Sequence, residues 1–161
     1  MKNETFVVRN GHLFERNQFP TNEKDRRQFR TDFEKDMVQK GTESEKLFYR
    51  MSCELLSQGK LPNVTKIHHG TRIQDERRQI DFLMDILFED ESGTVQIQIK
   101  SSNCGAVQFK IDHPDSEAYV IVMDQKMTMG TLVSALNDLT KIQIAKISKR
   151  RSMLRKSYEP T

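Results

Sequence analysis

The stretches RQIDFLMDILF (residues 78–88) and TVQIQIK (residues 94–100) decide the fold. In both, apolar side chains alternate with others, which is the two-residue period of a β-strand with two different faces. The segment Glu89–Gly93 between them is short and polar, so it predicts a turn and an antiparallel pair. Two sets of residues in the first strand are expected on opposite faces: Ile80, Phe82, Met84, Ile86 and Phe88 on one, and Gln79, Asp81, Leu83, Asp85 and Leu87 on the other.

A helix is predicted to precede these strands. Thr42 is a good N-cap residue, and Glu45 three positions later completes a capping box. Apolar residues then recur at helical spacing up to Gly59, a residue type that is common at a helix C-terminus. Val64–His69 is a further candidate strand.

The chain beyond Lys100 begins with a polar stretch that we interpret as a linker. Residues 118–123 (AYVIVM) predict a buried strand, and residues 130–156 predict a helix. The predicted order is therefore helix, three strands, linker, strand, helix, which is an α/β protein. The last helix is expected to have one apolar side, formed by Leu132, Leu136, Leu139, Ile142, Ile144 and Ile147.

Residues 1–40 are predicted to form an N-terminal extension, and residues 41–161 the main domain. Asn10-Gly11 lies between two short alternating runs, which indicates a hairpin. Phe29, Phe33 and Met37 recur at every fourth residue within a highly charged stretch, which predicts an amphipathic helix.

The composition is typical of one soluble globular domain: 161 residues, 35% hydrophobic and 30% charged. The formal net charge of +3 permits a nucleic-acid partner without requiring one. Cys53 and Cys104 lack the spacing of a metal site and are expected to be ordinary buried thiols. No apolar run approaches the roughly 20 residues of a membrane span, and the first residues lack a secretion signal. We therefore expect a cytoplasmic protein without membrane association.

The polar residues of the two long strands match the needs of phosphodiester hydrolysis. At neutral pH that reaction uses a divalent ion to lower the pKa of a water molecule, and Mg²⁺ prefers hard oxygen ligands. Asp81 stands near the start of one strand, and Gln98 and Lys100 share a face near the end of the next. Glu45 on the preceding helix is expected to reach the same place, although capping alone also explains it. Asp85 is a reserve metal ligand, because counting from the predicted turn places it nearer to Gln98 than Asp81 is.

Three segments resemble the motifs of the PD-(D/E)XK nuclease superfamily: Gly41-x-x-x-Glu45, Gln79-Ile80-Asp81 and Gln98-Ile99-Lys100-Ser101. The resemblance covers roughly residues 41–125. It implies a restriction-endonuclease-like αβββαβ core, with a mixed central sheet flanked by helices, and Mg²⁺ or Mn²⁺ as the cofactor. The string QIKSS is most similar to small bacterial nuclease-like domains and to the endonuclease subunits of some transposons. This implies DNA as the substrate, in a mobile-element or defence context.

The resemblance also implies roles for individual residues. Asp81 would be the principal metal ligand and Gln98 a weaker oxygen ligand, helped by the carbonyl of Ile99. Lys100 would activate water, and Glu45 would bind a second ion or an outer-shell water. Gln98 stands where the family usually has an acid, which removes one negative charge beside the ion and leaves an inactive site as an alternative.

The last predicted helix ends in a cluster of cations that is expected to bind nucleic-acid phosphates. A solvated helix end is the alternative interpretation, because cations also interact favourably with a helix C-terminus. The cluster consists of Lys146, Lys149, Arg150, Arg151, Arg155 and Lys156.

Three functions stay open at this point. The first is a magnesium-dependent nuclease that hydrolyses phosphodiester bonds, in DNA by preference. The second is a catalytically inactive nucleic-acid-binding module on the same fold. The third is a partner-binding protein, in which residues 1–40 and the last helix form a homodimer or bind a partner subunit.

Overall fold

The computed structural model describes residues 6–9, 12–15, 23–71 and 79–157. A short hairpin and a long helix come first, and strands and helices then alternate. The elements in chain order are β1 (Phe6–Arg9), β2 (His12–Glu15), α1 (Glu23–Ser57), β3 (Val64–His69), β4 (Phe82–Phe88), β5 (Glu91–Lys100), α2 (Asn103–Asp112), β6 (Tyr119–Val122) and α3 (Met129–Ser157).

The central sheet contains, among the described residues, four strands in the order β3-β4-β5-β6. β4 is antiparallel to β3 and to β5, whereas β5 and β6 are parallel. Two parallel neighbours need a crossover connection, and α2 lies in it. The predicted α/β class, with a mixed sheet flanked by helices, is confirmed. The linker expected after Lys100 is wrong, because most of that stretch is α2.

One face of the sheet is buried beneath α1 and α3. Phe82, Met84 and Ile86 alternate onto this face, as the sequence predicts, and join the hydrophobic core. The predicted apolar side of α3 is correct except at Ile142, which is 43% exposed. Gln143, one residue further round the helix, is buried instead.

α1 is one continuous helix from Glu23 to Ser57, so the predicted helix start at Thr42 is wrong. The Thr42 hydroxyl donates to the Val38 carbonyl (3.0 Å), a bond to the preceding helical turn that replaces the capping role. The boundary predicted between residues 40 and 41 therefore falls inside a helix.

The C-terminus of α1 is a Schellman motif. Gly59 has a φ of 68°, its N–H donates to the Leu56 carbonyl, and the Lys60 N–H donates to the Leu55 carbonyl. A glycine adopts this left-handed conformation without the steric cost of a side chain. The predicted role of Gly59 is confirmed.

The turn between β4 and β5 is shorter than the sequence suggests. Phe88 pairs with Glu91, so only Glu89 and Asp90 form the turn, and both have positive φ values (48° and 67°). Two such residues make a type I′ hairpin turn. The five-residue turn is wrong, and the shorter turn shifts the pairing of every residue along β5.

The predicted N-terminal hairpin is confirmed, since β1 pairs antiparallel with β2 and Arg9 lies opposite His12. Asn10 and Gly11 themselves lie outside the described residues, as do the side chains of Phe29, Phe33 and Met37. Within the described ranges, no helix carries an apolar stretch long enough to cross a bilayer.

Candidate functional site

The residue that precedes β4 meets the last residues of β5 at one end of the sheet. Phe82 and Ile97 form the last regular pair. One residue further, the Asp81 N–H donates to the Ile97 carbonyl (3.0 Å), and the Asp81 carboxylate accepts from the Ile99 N–H (2.6 Å). Gln98 lies between these two residues of β5. Asp81 and Gln98 are therefore neighbours on adjacent strands.

Both side chains are buried, which is unusual for such polar groups. Asp81 is 9% exposed and Gln98 is 4% exposed. The Gln98 amide donates from Nε2 to the Ile99 carbonyl at 3.5 Å, but its Oε1 has no hydrogen-bond partner within the described part of the chain. Leaving a buried acceptor unsatisfied costs about 1–3 kcal/mol. A buried oxygen in this state calls for a donor group or a cation that the described residues do not supply.

Lys100 is the last residue of β5 and lies two positions after Gln98, so strand alternation places both side chains on the same face. Its ammonium lies 5.1 Å from the centroid of the Phe109 ring in α2, within the range of a cation–π contact. Across residues 23–71 and 79–157, no carboxylate lies within ion-pairing distance of this ammonium. The positive charge is thus available to an anionic ligand.

α1 supplies a further wall. The Ser44 hydroxyl donates to the Met123 carbonyl (3.0 Å) just beyond β6, which ties this turn of α1 to the end of the sheet. Glu45 is the next residue, and it is half-buried. Since α1 has no terminus here, the position of the helix on the sheet, and not a capping box, brings Glu45 to this place.

These residues share one cleft of about 490 Å³. The four residues predicted as catalytic all contribute to its lining: Glu45, Asp81, Gln98 and Lys100. α2 contributes residues that the sequence analysis did not single out, among them Ser102, Gly105, Gln108 and Phe109. The structure therefore places the predicted set together, in a concave site open to solvent.

The oxygen donors of the cleft fit a hard divalent cation. The Asp81 carboxylate supplies charge, and the unsatisfied Gln98 Oε1 supplies a neutral oxygen beside it. No three His, Cys, Asp or Glu side chains cluster in a metal-binding arrangement among the described residues. A magnesium site needs no third such side chain, because Mg²⁺ retains several water molecules and takes one or two carboxylates.

Asp85, the predicted reserve ligand, lies away from the cleft. The short turn pairs it with Thr94, four residues before Gln98, so the count that placed it near Gln98 is wrong. Its carboxylate accepts from the Thr94 hydroxyl (3.0 Å) and is hydrogen-bonded to Nε2 of the His68 ring (3.0 Å). Asp85 thus has a complete set of cross-strand partners at a distance from Asp81.

The basic cluster of α3 is spread along the sheet: the Lys146 ammonium lies 5.8 Å from the centroid of the Tyr119 ring, whereas Arg151 lies at the end of the sheet away from the cleft. Arg151 forms ion pairs with Glu89 and Glu91 at the turn between β4 and β5. From Glu91 to Lys100 the strand rises by roughly 30 Å. Arg151 is therefore held by two carboxylates far from the cleft. The other cations of the cluster are exposed on the same helix: Lys146, Lys149, Arg150, Arg155 and Lys156.

Two signals in the sequence point to the α2 wall that the prediction missed. Ser102 is a strong N-cap residue type, and Ala106 and Phe109 follow at helical spacing. Cys104 lies in the first turn of this helix and is exposed, and Cys53 is half-buried, so the expectation of two buried thiols is wrong. No family model, curated protein or solved structure matches the chain.

Proposed function

We propose that this protein is a metal-dependent nuclease of the PD-(D/E)XK type, which hydrolyses phosphodiester bonds in DNA. One observation carries the proposal: a buried carboxylate lies beside a buried amide oxygen that no described residue satisfies, in a cleft that also contains a lysine with no carboxylate partner in the described part of the chain. Hard oxygen donors together with a cation are the groups that metal-assisted phosphoryl transfer requires.

The order of the elements supports the same assignment. α1, three antiparallel strands, α2 and the parallel strand β6 follow one another in the αβββαβ order of the superfamily. The cleft lies where β4 begins and β5 ends, which is the place the three motif segments meet. The restriction-endonuclease-like core is thus part of the proposal.

Asp81 and Gln98 would hold the divalent ion, Mg²⁺ or Mn²⁺. The bound ion supplies a water of lowered pKa and neutralises charge at the phosphate. The Ile99 N–H fixes the orientation of the Asp81 carboxylate through its 2.6 Å bond. Lys100 donates hydrogen bonds to the attacking water or to a phosphate oxygen, and its ring contact with Phe109 limits where the ammonium can go.

The neutral Gln98 gives the site one charge fewer than a pair of carboxylates would. We therefore expect weak magnesium binding and a preference for Mn²⁺, which binds nitrogen and oxygen ligands more tightly than Mg²⁺ does. A non-catalytic nucleic-acid-binding module is the second candidate function, and the same neutral residue favours it. Cleavage assays separate the two candidates.

The test is cleavage of supercoiled plasmid DNA by the purified protein, with Mg²⁺ or Mn²⁺ and with EDTA as the blank. We expect cleavage to disappear in Asp81→Asn and Lys100→Ala. Asp85→Asn is the matched control, because it changes a carboxylate of β4 that lies outside the cleft. The enzyme assignment is wrong if the wild-type protein cuts neither DNA nor RNA with either ion, or if Asp81→Asn cuts as well as Asp85→Asn.

A further inference from the structure

The side chain of Lys100 follows one face of α2. A β-carbon added to Gly105 would lie 3.8 Å from both Cβ and Cδ of Lys100, so the aliphatic stem of the lysine passes close to the first turn of the helix. The ammonium lies 5.1 Å from the centroid of the Phe109 ring. Gly105 and Phe109 are four residues apart and therefore share a face of α2. Since all three residues line the cleft, α2 sets the path of this lysine along the cleft wall.

The ring of Phe109 is itself held in place. Phe109 is the one buried residue of α2, with 5% of its surface exposed. The ring of His113, just past the end of the helix, lies against it, with the two centroids 4.8 Å apart and the planes tilted by 38°. A closely packed ring has little room to turn away. Phe109 therefore offers the ammonium a fixed surface.

This ring attracts the lysine without neutralising it. The attraction comes from the quadrupole of the aromatic ring, which carries no net charge. A carboxylate partner would also hold the ammonium but would cancel its charge, and none lies within ion-pairing distance in residues 23–71 and 79–157. Lys100 thus keeps its positive charge while the ring restricts its position.

We propose that Phe109 is a positioning residue, whose ring holds the Lys100 ammonium where the phosphate of the substrate binds in the cleft. This inference rests on the proposed nuclease function, since the phosphate is that of the phosphodiester bond to be cleaved. A charge already in place lowers the barrier because nothing has to rearrange during the reaction. A lysine without the ring would keep its charge and lose its placement, which costs rate and not affinity.

The decisive variant is Phe109→Leu, which keeps an apolar side chain in the buried position and removes the ring. Phe109→Tyr is the conservative variant, because it keeps the ring and adds one hydroxyl. Phe48→Leu is the matched control, since it removes a buried ring from the main hydrophobic core, outside the lining of the cleft. Lys100→Met, alone and combined with Phe109→Leu, tests whether the ring acts through the lysine.

The contact is measured first by nuclear magnetic resonance, in EDTA and without substrate, on protein with isotope-labelled lysine. Protons above an aromatic face are shifted to lower frequency, so the ε-methylene signal of Lys100 should stand apart from those of exposed lysines. The signal is assigned by its disappearance in Lys100→Met. It should return to the ordinary position in Phe109→Leu and stay shifted in Phe109→Tyr and Phe48→Leu. A ring that served packing alone would leave this signal in the ordinary position throughout.

Urea denaturation in EDTA gives the coupling between the two side chains. We expect Phe109→Leu to raise the unfolding equilibrium constant by a factor roughly two- to fivefold larger in the wild-type protein than in Lys100→Met. In the plasmid assay, Phe109→Leu should lower kcat roughly tenfold or more, and Phe109→Tyr should retain most of it. Binding of a labelled DNA duplex in EDTA should be the same in Phe109→Leu as in the wild-type protein, because the charge of Lys100 is still present.

The inference is overturned if the Lys100 signal is the same in the wild-type protein and in Phe109→Leu, or if Phe109→Leu cuts plasmid DNA as fast as Phe48→Leu does. Failure here is distinguishable from failure of the nuclease assignment. Plasmid cleavage that depends on Asp81 and is unaffected in Phe109→Leu would retain the enzyme and exclude the positioning role. A shifted signal and a measurable coupling, with no cleavage by any form, would retain the held lysine and exclude the enzyme.

Discussion

Replacing Gln98 by methionine should make the protein more stable while removing an oxygen on which the proposed activity depends. In the native structure this amide is 4% exposed and its Oε1 has no donor among the described residues, which costs about 1–3 kcal/mol. The remaining bond from Nε2 to the Ile99 carbonyl is long, at 3.5 Å, and contributes little. Methionine has a similar length, and its thioether needs no donor.

We expect Gln98→Met to raise the free energy of unfolding by about 1–2 kcal/mol. For a chain of this size that corresponds to an increase in Tm of roughly 2–8 °C. Urea denaturation in EDTA, followed by far-ultraviolet circular dichroism, measures the change without a contribution from bound ions. Gln96→Met is the control, because Gln96 is on the same strand and face but is only half-buried. It should change stability little.

The opposite sign would refute the argument. If Gln98→Met lowers the free energy of unfolding in EDTA by more than the control does, the amide makes stabilising hydrogen bonds in the native protein. A second measurement links stability to the proposed site: Mn²⁺ should raise the Tm of the wild-type protein and leave that of Gln98→Met unchanged, because an ion stabilises only the form that binds it.

Two other predictions concern packing away from the cleft. The Ser52 hydroxyl is fully buried in α1 and has no hydrogen-bond partner in the part of the chain that the structure describes, so Ser52→Ala should raise the free energy of unfolding by about 1 kcal/mol. A lower free energy of unfolding in urea denaturation would contradict this. A β-carbon on Gly93 would lie 2.5 Å from the buried Gln143 amide, so Gly93→Ala should lower stability by about 1–2 kcal/mol. The double variant with Gln143→Ala should lower the free energy of unfolding by less than the sum of the two single changes. Simple additivity would show that the two residues do not interact.

The sequence predicted the strands of the sheet well because their signal is local and strong. In β4 and β5, apolar and polar side chains alternate over many residues, and the buried face that this implies is the one observed. The register of β5 against β4 was harder to predict, since it depends on the length of the turn between them. Glu89 and Asp90 both adopt positive φ values, which are usually found at glycine or asparagine. Because neither residue type is present there, nothing in the sequence indicated a two-residue turn, and a longer loop was predicted.

Two helix predictions were wrong: the start of α1 at Thr42 and the linker in place of α2. In these segments the local sequence pattern was a poor guide. Thr42 and Glu45 have the pattern of a capping box, yet the helix continues upstream, and Ser44 anchors it to Met123, 79 residues away. α2 has a weak apolar pattern and one buried residue, Phe109, so its periodicity gives little indication of a helix.

The residues of the candidate site could be predicted from the sequence, but their hydrogen bonding could not. The acid and the amide–lysine pair could be chosen from their spacing, and the structure places all of them in one cleft. That the amide oxygen of Gln98 has no donor among the described residues follows only from the three-dimensional positions of its neighbours, as does the separation of Asp85 from this group.

β5 has a neighbour along both edges, antiparallel on one side and parallel on the other. The ladder with β4 ends at Ile97, and the ladder with β6 runs from Ile97 to Lys100, so the backbone that carries Gln98 and Lys100 is held by β6 on one side and by the two bonds of Asp81 on the other. The walls are a turn of α1, which Ser44 ties to Met123 just beyond β6, and the first turn of α2. Changes in what the cleft accommodates should therefore arise in the walls, while the floor keeps its spacing from one sequence variant to the next.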